Sequence, residues 1–156
     1  MTFSIVGRCE RTGQLGVAIS SSSIAVGARC PWVRAGVGVV STQNITLPAL
    51  GPRVLDLLEQ GADPQAALRQ ALDDGSWPQY RQVTVVDAQG RTGVFSGSQA
   101  LGIFTSAVGR QCVAAGNLLA SERTIEAMVP AFERSAALPL AERLLAAMQA
   151  AMAAGG

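Results

Sequence analysis

The spacing of apolar and polar residues changes period along the chain, and the changes mark the elements. In residues 2–7 Phe3 and Ile5 fall on one face and Thr2, Ser4 and Val6 on the other, as in a strand. Arg11-Thr12-Gly13 is a turn signal, residues 15–20 read as a second strand, and the two form an antiparallel hairpin. That hairpin sets residues near Ser20 opposite Thr2. Residues 25–32 read as irregular with Pro31 as a stop, and residues 35–42, glycine-spaced and β-branched, as a third strand ending in Thr42-Gln43-Asn44. The period then lengthens. Val54, Leu55 and Leu58 form one face of a helix over 48–60 that Gly61 ends. Asp63 caps a second helix with Pro64 at its first position and Leu68, Ala71 and Leu72 inward, running to the solvated Asp73-Asp74.

Alternation returns in residues 80–87 and 91–97, a hairpin around Ala88-Gln89-Gly90 in which Asp87 is a turn residue. Short strands follow over 101–106 and 109–115, ending at Gly116-Asn117. Ser121 is a candidate cap for a helix to Arg134, with Ile125, Met128, Val129 and Phe132 as its stripe and a kink at Pro130. A last helix over 138–154 presents Leu144, Leu145, Met148 and Met152. Three strands, two helices, about four strands and two helices fit an α+β layered fold better than a parallel α/β sheet. A sandwich of two sheets with helices outside both accommodates that order.

The 156 residues make a single domain by length, residues 1–156, and a formal charge of +1 without a basic run argues against nucleic acid and a polybasic membrane anchor. No apolar run is long enough for a bilayer, and no charged segment precedes an apolar one at the start, so a cytoplasmic protein is expected. Two absences narrow the chemistry further. There is no His, which rules out Ser-His-Asp and Cys-His arrangements and His-containing zinc sites within this chain. There is no Lys, which rules out Schiff bases, Ser–Lys dyads and a P-loop lysine. Neither a metal nor an organic cofactor is expected. Cys9, Cys30 and Cys112 are far apart and read as buried, reduced thiols.

Few nucleophile and base pairs remain, and one sits at the start. Methionine before a small residue is of the kind trimmed in cells, so a mature chain would begin at Thr2. Its hydroxyl is then a nucleophile and its own α-amine, of pKa about 7.7–8.0, a base. The alternative is an ordinary first-strand residue with Met1 retained. Ser20 and Ser21, in a run of four hydroxyls, are either a solvated bend or a polar wall beside Thr2. Thr42, Gln43 and Asn44 are candidates to orient a substrate amide.

The strand order and the residues Thr2–Gly7 resemble the N-terminal-nucleophile (Ntn) hydrolase superfamily. More closely, the chain resembles the family catalogued as domain of unknown function 1028. The likeness rests on Gly16-Val17-Ala18, Ala25-Val26-Gly27, the run from Pro31 to Gly38, Thr42-Gln43, Gly51-Pro52-Arg53, Arg81-Gln82, Val86-Asp87 and Gly116-Asn117-Leu118-Leu119. It implies a four-layer αββα sandwich with Thr2 at the nucleophile position. It also implies Arg34 near a supporting basic residue and Asn117 as an oxyanion donor, each with a plain alternative as an ion pair and a cap. Relatives often carry a His where Gln79-Tyr80 stand before Arg81, and they run on past Gly156 into at least one more core strand. A sheet lacking that C-terminal strand is expected to cover its edge in a homo-oligomer or against a C-terminal segment of the same protein. The activity implied is hydrolysis of an amide C–N bond in a small molecule. The alternative is a non-catalytic binding or assembly module, envelope-related in some relatives.

Overall fold

The alternation at the start becomes strand β1 (Thr2–Arg8), with Phe3 and Ile5 buried toward helices and Val6 buried between two sheets. In this computed structural model, which describes residues 1–73 and 77–156, β1 pairs antiparallel with β2 (Leu15–Ser21) in the expected hairpin. Its other edge pairs antiparallel with β8 (Cys112–Leu119), and β7 (Ile103–Gly109) completes a sheet of order β2-β1-β8-β7. The second sheet, also antiparallel, has the order β3-β4-β5-β6, from β3 (Pro31–Arg34), β4 (Gly38–Asn44), β5 (Arg81–Asp87) and β6 (Thr92–Ser96).

The sheets meet face to face through Val6, Val39, Val86 and Val113. On the outer face of the second sheet, α1 (Leu50–Glu59) and α2 (Pro64–Leu72) cover Val40, Val83 and Val85. On the outer face of the first, α3 (Arg123–Glu126), α4 (Met128–Arg134) and α5 (Leu140–Ala153) cover Phe3, Ile5 and Ala114. The described residues therefore form an α+β sandwich: helices, sheet, sheet, helices. Small side chains make this thin stack possible, since interiors tolerate few voids.

Five readings are corrected. The stretch read as irregular contains β3, which begins at Pro31 itself. On the edge of a sheet a proline's missing N–H removes no ladder bond, so the residue opens the strand instead of stopping it. Strand β4 correspondingly starts at Gly38 rather than residue 35, because residues 35–37 form the hairpin turn, with Gly36 at φ +74° and Val37 N–H donating to Arg34 O at 3.1 Å. The helix from Ser121 breaks at Ala127 into α3 and α4, a turn ahead of Pro130. A proline clashes with the carbonyl four residues earlier, here Glu126, so the chain yields there. Ser121 makes no side-chain cap. In α5 the buried stripe is Leu140, Leu144, Ala147 and Ala151, while Leu145 and Met152 are exposed. Alanines on that stripe let the helix lie close to the sheet.

Asp63 caps α2 as read, accepting from Gln65 N and Ala66 N at 3.0 and 3.1 Å. Asp73 is the C-cap of α2, and Asp74 lies outside the described residues. Asp87 organises the β5–β6 turn, accepting from Gln89 N, Arg91 N and Arg91 Nε. Among the described residues no helix is long and apolar enough to cross a membrane.

Candidate functional site

The site begins with the register of β1. Thr2 lies opposite Ser21 on one side and Asn117 on the other. Directly opposite residues share a face, and Thr2 has the parity of Ser4 and Val6, so its side chain is on the inter-sheet face at the open end of the sandwich. There Thr2 Oγ1 is 2.8 Å from Ser21 Oγ. Ser21 Oγ also accepts from Ser23 N at 3.0 Å. A hydroxyl has one proton and two lone pairs, so Ser21 retains a proton to donate to Thr2. Ser20 pairs with Phe3 and therefore takes the opposite face, away from Thr2. Of the two candidate serines, the structure brings only Ser21 to the threonine.

A cleft of about 320 Å³ opens beside this pair, lined by Thr2 and Ser21 and by Arg29, Gln43, Asn44 and Thr46. Gln43 reaches it from β4 with its side chain 1 % exposed. Its Oε1 accepts from Ser4 Oγ at 2.7 Å and its Nε2 donates to Gln82 Oε1 at 2.8 Å. Gln82 Oε1 also accepts from Asn117 Nδ2 at 3.1 Å, and Gln82 Nε2 faces Ser96 Oγ, Thr105 O and Gly116 O. These contacts tie the two sheets together beneath Thr2. Nothing in the sequence marks Gln82 except its place directly across from Gln43 on β5.

The other candidates fall in different places. Thr42 faces the helix side, its hydroxyl 3.5 Å from Leu47 O, because strand parity turns it away from Gln43. Asn44 lines the cleft, but both ends of its amide are held: Nδ2 donates to Tyr80 O at 2.6 Å and Oδ1 accepts from Leu101 N at 3.2 Å. Asn117 is 2 % exposed inside β8, not at its end, and gives an amide proton to Gln82. The plain reading of Asn117 as a cap is thereby excluded. Arg34 is not at the site. It lies at the far end of β4's partner strand and pairs with Asp56 and Glu59 of α1, both at 2.8 Å. The hydrogen bond it donates to Asp56 is the main cause of its raised pKa.

The cation of the cleft is instead Arg29. Its Nη2 donates to Ser23 Oγ at 2.8 Å and to Ile24 O at 3.0 Å, while its buried Nε has no partner. Sequence reasoning missed it because Arg29 lies just before β3 and Arg34 ends it, and only the direction of that strand tells them apart. Cys30 also lines the cleft, but burial pushes its thiol pKa up, so it is a poor nucleophile. All three cysteines are buried and unbridged.

Backbone strain gathers around the same end. Asn44 has φ 73°, a value asparagine tolerates, and Leu118 has φ 53°, which an aliphatic residue adopts only at a cost of about 1–3 kcal/mol. The β7–β8 register shifts at this point, between Ile103 and Thr105, and such bulges re-aim neighbouring side chains. The amine nearest Thr2 is that of Met1, which donates to Ser22 Oγ at 3.1 Å. No cluster of three or more His, Cys, Asp or Glu suited to a metal ion occurs among the described residues.

The chain and its fold have counterparts among known proteins. The model of a family described as "Family of unknown function (DUF1028)" matches residues 2–156. The crystal structure of protein SPO2555 from Silicibacter pomeroyi, also assigned to DUF1028, superposes with a TM-score of 0.94 at 33 % sequence identity, covering 99 % of this chain and 69 % of that one. No curated protein matches.

Proposed function

The chain belongs to the DUF1028 family, and on that footing we propose that it is an Ntn-type hydrolase cleaving an amide C–N bond in a small molecule. The observation that carries the reading is the Thr2–Ser21 hydroxyl pair at 2.8 Å on the wall of a polar cleft. Removal of Met1 would place a free α-amine on the same residue. Thr2 Oγ then attacks the carbonyl carbon as its proton passes to that amine. The tetrahedral oxyanion collapses, and the leaving nitrogen takes the proton. Water, deprotonated by the same amine, hydrolyses the acyl ester and restores Thr2.

Ser21 supports the nucleophile by donating to Thr2 Oγ, which leaves the threonine's own proton for the amine. Asn117 has one amide proton committed to Gln82, so the oxyanion is held by its remaining N–H or by backbone amides at the strained Asn117–Leu118 bulge. Arg29, with a buried Nε lacking a partner, favours a substrate that carries a carboxylate beside the amide. The test is intact mass and N-terminal sequencing of protein from cells, followed by turnover of small acidic amides by the wild type and Thr2→Ala. Turnover lost in a folded Thr2→Ala supports the proposal, and full turnover refutes it. A second reading, a non-catalytic binding or assembly module, is favoured by the amides of Gln43, Asn44 and Asn117 being engaged within the protein rather than converging on the cleft. A chain that keeps Met1 in cells would select it.

A further inference from the structure

Strand β1 has a second charged end. Arg8 lies six residues from Thr2, about 20 Å away at strand rise. A cavity of about 490 Å³ opens there, lined by Arg8, Arg11, Arg110 and Arg143 against Glu10 and Glu133. The two acids are already engaged with Arg110: both oxygens of Glu10 accept from its guanidinium at 2.8 and 2.7 Å, and Glu133 Oε1 accepts from its backbone N–H at 2.8 Å. No carboxylate lies within ion-pair distance of the other three guanidinium groups among the described residues; Arg11 is exposed, which leaves Arg8 and Arg143 as the two that are withdrawn from solvent.

Arg143 is the more telling of the two, because it is only 7 % exposed. Its Nε donates to Phe132 O at 3.3 Å and its guanidinium stacks over the Phe132 ring at 3.9 Å. The two terminal nitrogens have no protein partner, yet they are not among the sealed polar atoms, so they open onto the cavity. Arg8 is half-buried. Its Nη1 donates to Gln111 Oε1 at 2.5 Å, while its Nε is buried with no partner. Buried charge without a counter-charge is costly, and proteins keep it where a ligand supplies the missing partner. The carbonyl of Phe132, in the last turn of α4, offsets only part of one such charge. The thiol of Cys9, on the same wall, has a lowered pKa, first through a hydrogen bond with Thr12 and in lesser part through the charge of Arg143.

We propose that this cavity is an oxyanion-binding site, separate from the Thr2 cleft, in which Arg143 and Arg8 grip the carboxylate or phosphate group of a small anionic molecule. Arginine forks suit that geometry, two parallel N–H groups meeting two oxygens. The site does not depend on the hydrolase reading.

The test is thermal unfolding and titration calorimetry with sodium phosphate and, separately, sodium citrate, against sodium chloride at matched ionic strength. Wild-type protein is expected to gain stability with either oxyanion beyond the chloride control, and the better of the two identifies the class. Arg143→Met keeps the stem over Phe132 and removes the charge, and its oxyanion-dependent shift should vanish. Arg8→Gln should weaken binding about tenfold or more, the worth of one charge-assisted hydrogen bond. A merely structural arginine would change the anion-free stability and leave the dependence on oxyanion untouched. If Arg143→Met does not fold, Arg8→Gln decides alone. No shift in the wild type beyond chloride, or an equal shift in wild type and Arg8→Gln, overturns the proposal.

Discussion

Gln82→Leu tests whether the amide network joining the sheets holds up the floor of the cleft. The side chain is fully buried, and leucine is close to it in volume, so packing changes little. Hydrogen bonding changes a great deal. Gln82 Oε1 accepts both from Gln43 Nε2 at 2.8 Å and from Asn117 Nδ2 at 3.1 Å. Removing it orphans two buried donors, each costing about 1–3 kcal/mol, and the apolar gain of leucine offsets part of that. The expected loss is about 2–4 kcal/mol, a large share of the roughly 5–15 kcal/mol typical of a domain. Gln43→Leu should cost less, about 1–2 kcal/mol, because Gln82 keeps Asn117 and only the Ser4 hydroxyl is left without its acceptor. In the double variant the Gln43 amide is no longer there to be orphaned. Its loss should therefore fall short of the sum of the singles by about 1 kcal/mol or more. Urea unfolding of all four proteins at constant m measures this. Additivity within about 0.5 kcal/mol, or a Gln82→Leu loss below about 1 kcal/mol, would refute the reasoning.

Gly51→Ala tests the seating of α1: an added Cβ would lie 2.1 Å from Trp32 Cδ1. The steric cost, about 1–3 kcal/mol, should exceed the helix-propensity gain of about 1 kcal/mol, so Tm should fall, and a rise in a thermal scan would refute it. Cys112 supplies a pH dependence. Burial, with Glu133 nearby, raises its thiol pKa to about 12 in the folded protein. A raised folded pKa gives stability that is complete below the unfolded value near 9 and is lost as pH rises from there toward 12. Stability should thus decline above pH 9 by up to about 1.4 kcal/mol per pH unit from this thiol, and Cys112→Ala should flatten the decline in urea titrations. The lowered pKa of Cys9 opposes the trend, which is why the variant isolates it. Arg34→Ala should leave any chemistry of the cleft unchanged, whereas Arg29→Ala should weaken an acidic substrate, and steady-state kinetics on both separates the two arginines.

Local pattern alone determined most of the elements. Two-residue alternation placed β1, β2, β5 and β6, the Asp63-Pro64 pair fixed the start of α2, and the absence of His and Lys limited the chemistry before any fold was known. Those features depend on near neighbours, and near neighbours are what a sequence displays. Thr2, Ser21 and Gln43 were legible as candidates for the same reason, each lying at the end of a readable strand. Three outcomes were not local. Pro31 opens a strand because β3 is an edge, a property set by its neighbour β4. Arg29 rather than Arg34 reaches the cleft because β3 runs away from it. Ser4 meets Gln43, and Asn117 meets Gln82, because two sheets close face to face, bringing together residues 39 and 35 positions apart. Pairing across sheets is decided by burial of the valines between them, a long-range condition that no window of the chain contains, and it alone turned scattered polar residues into one site.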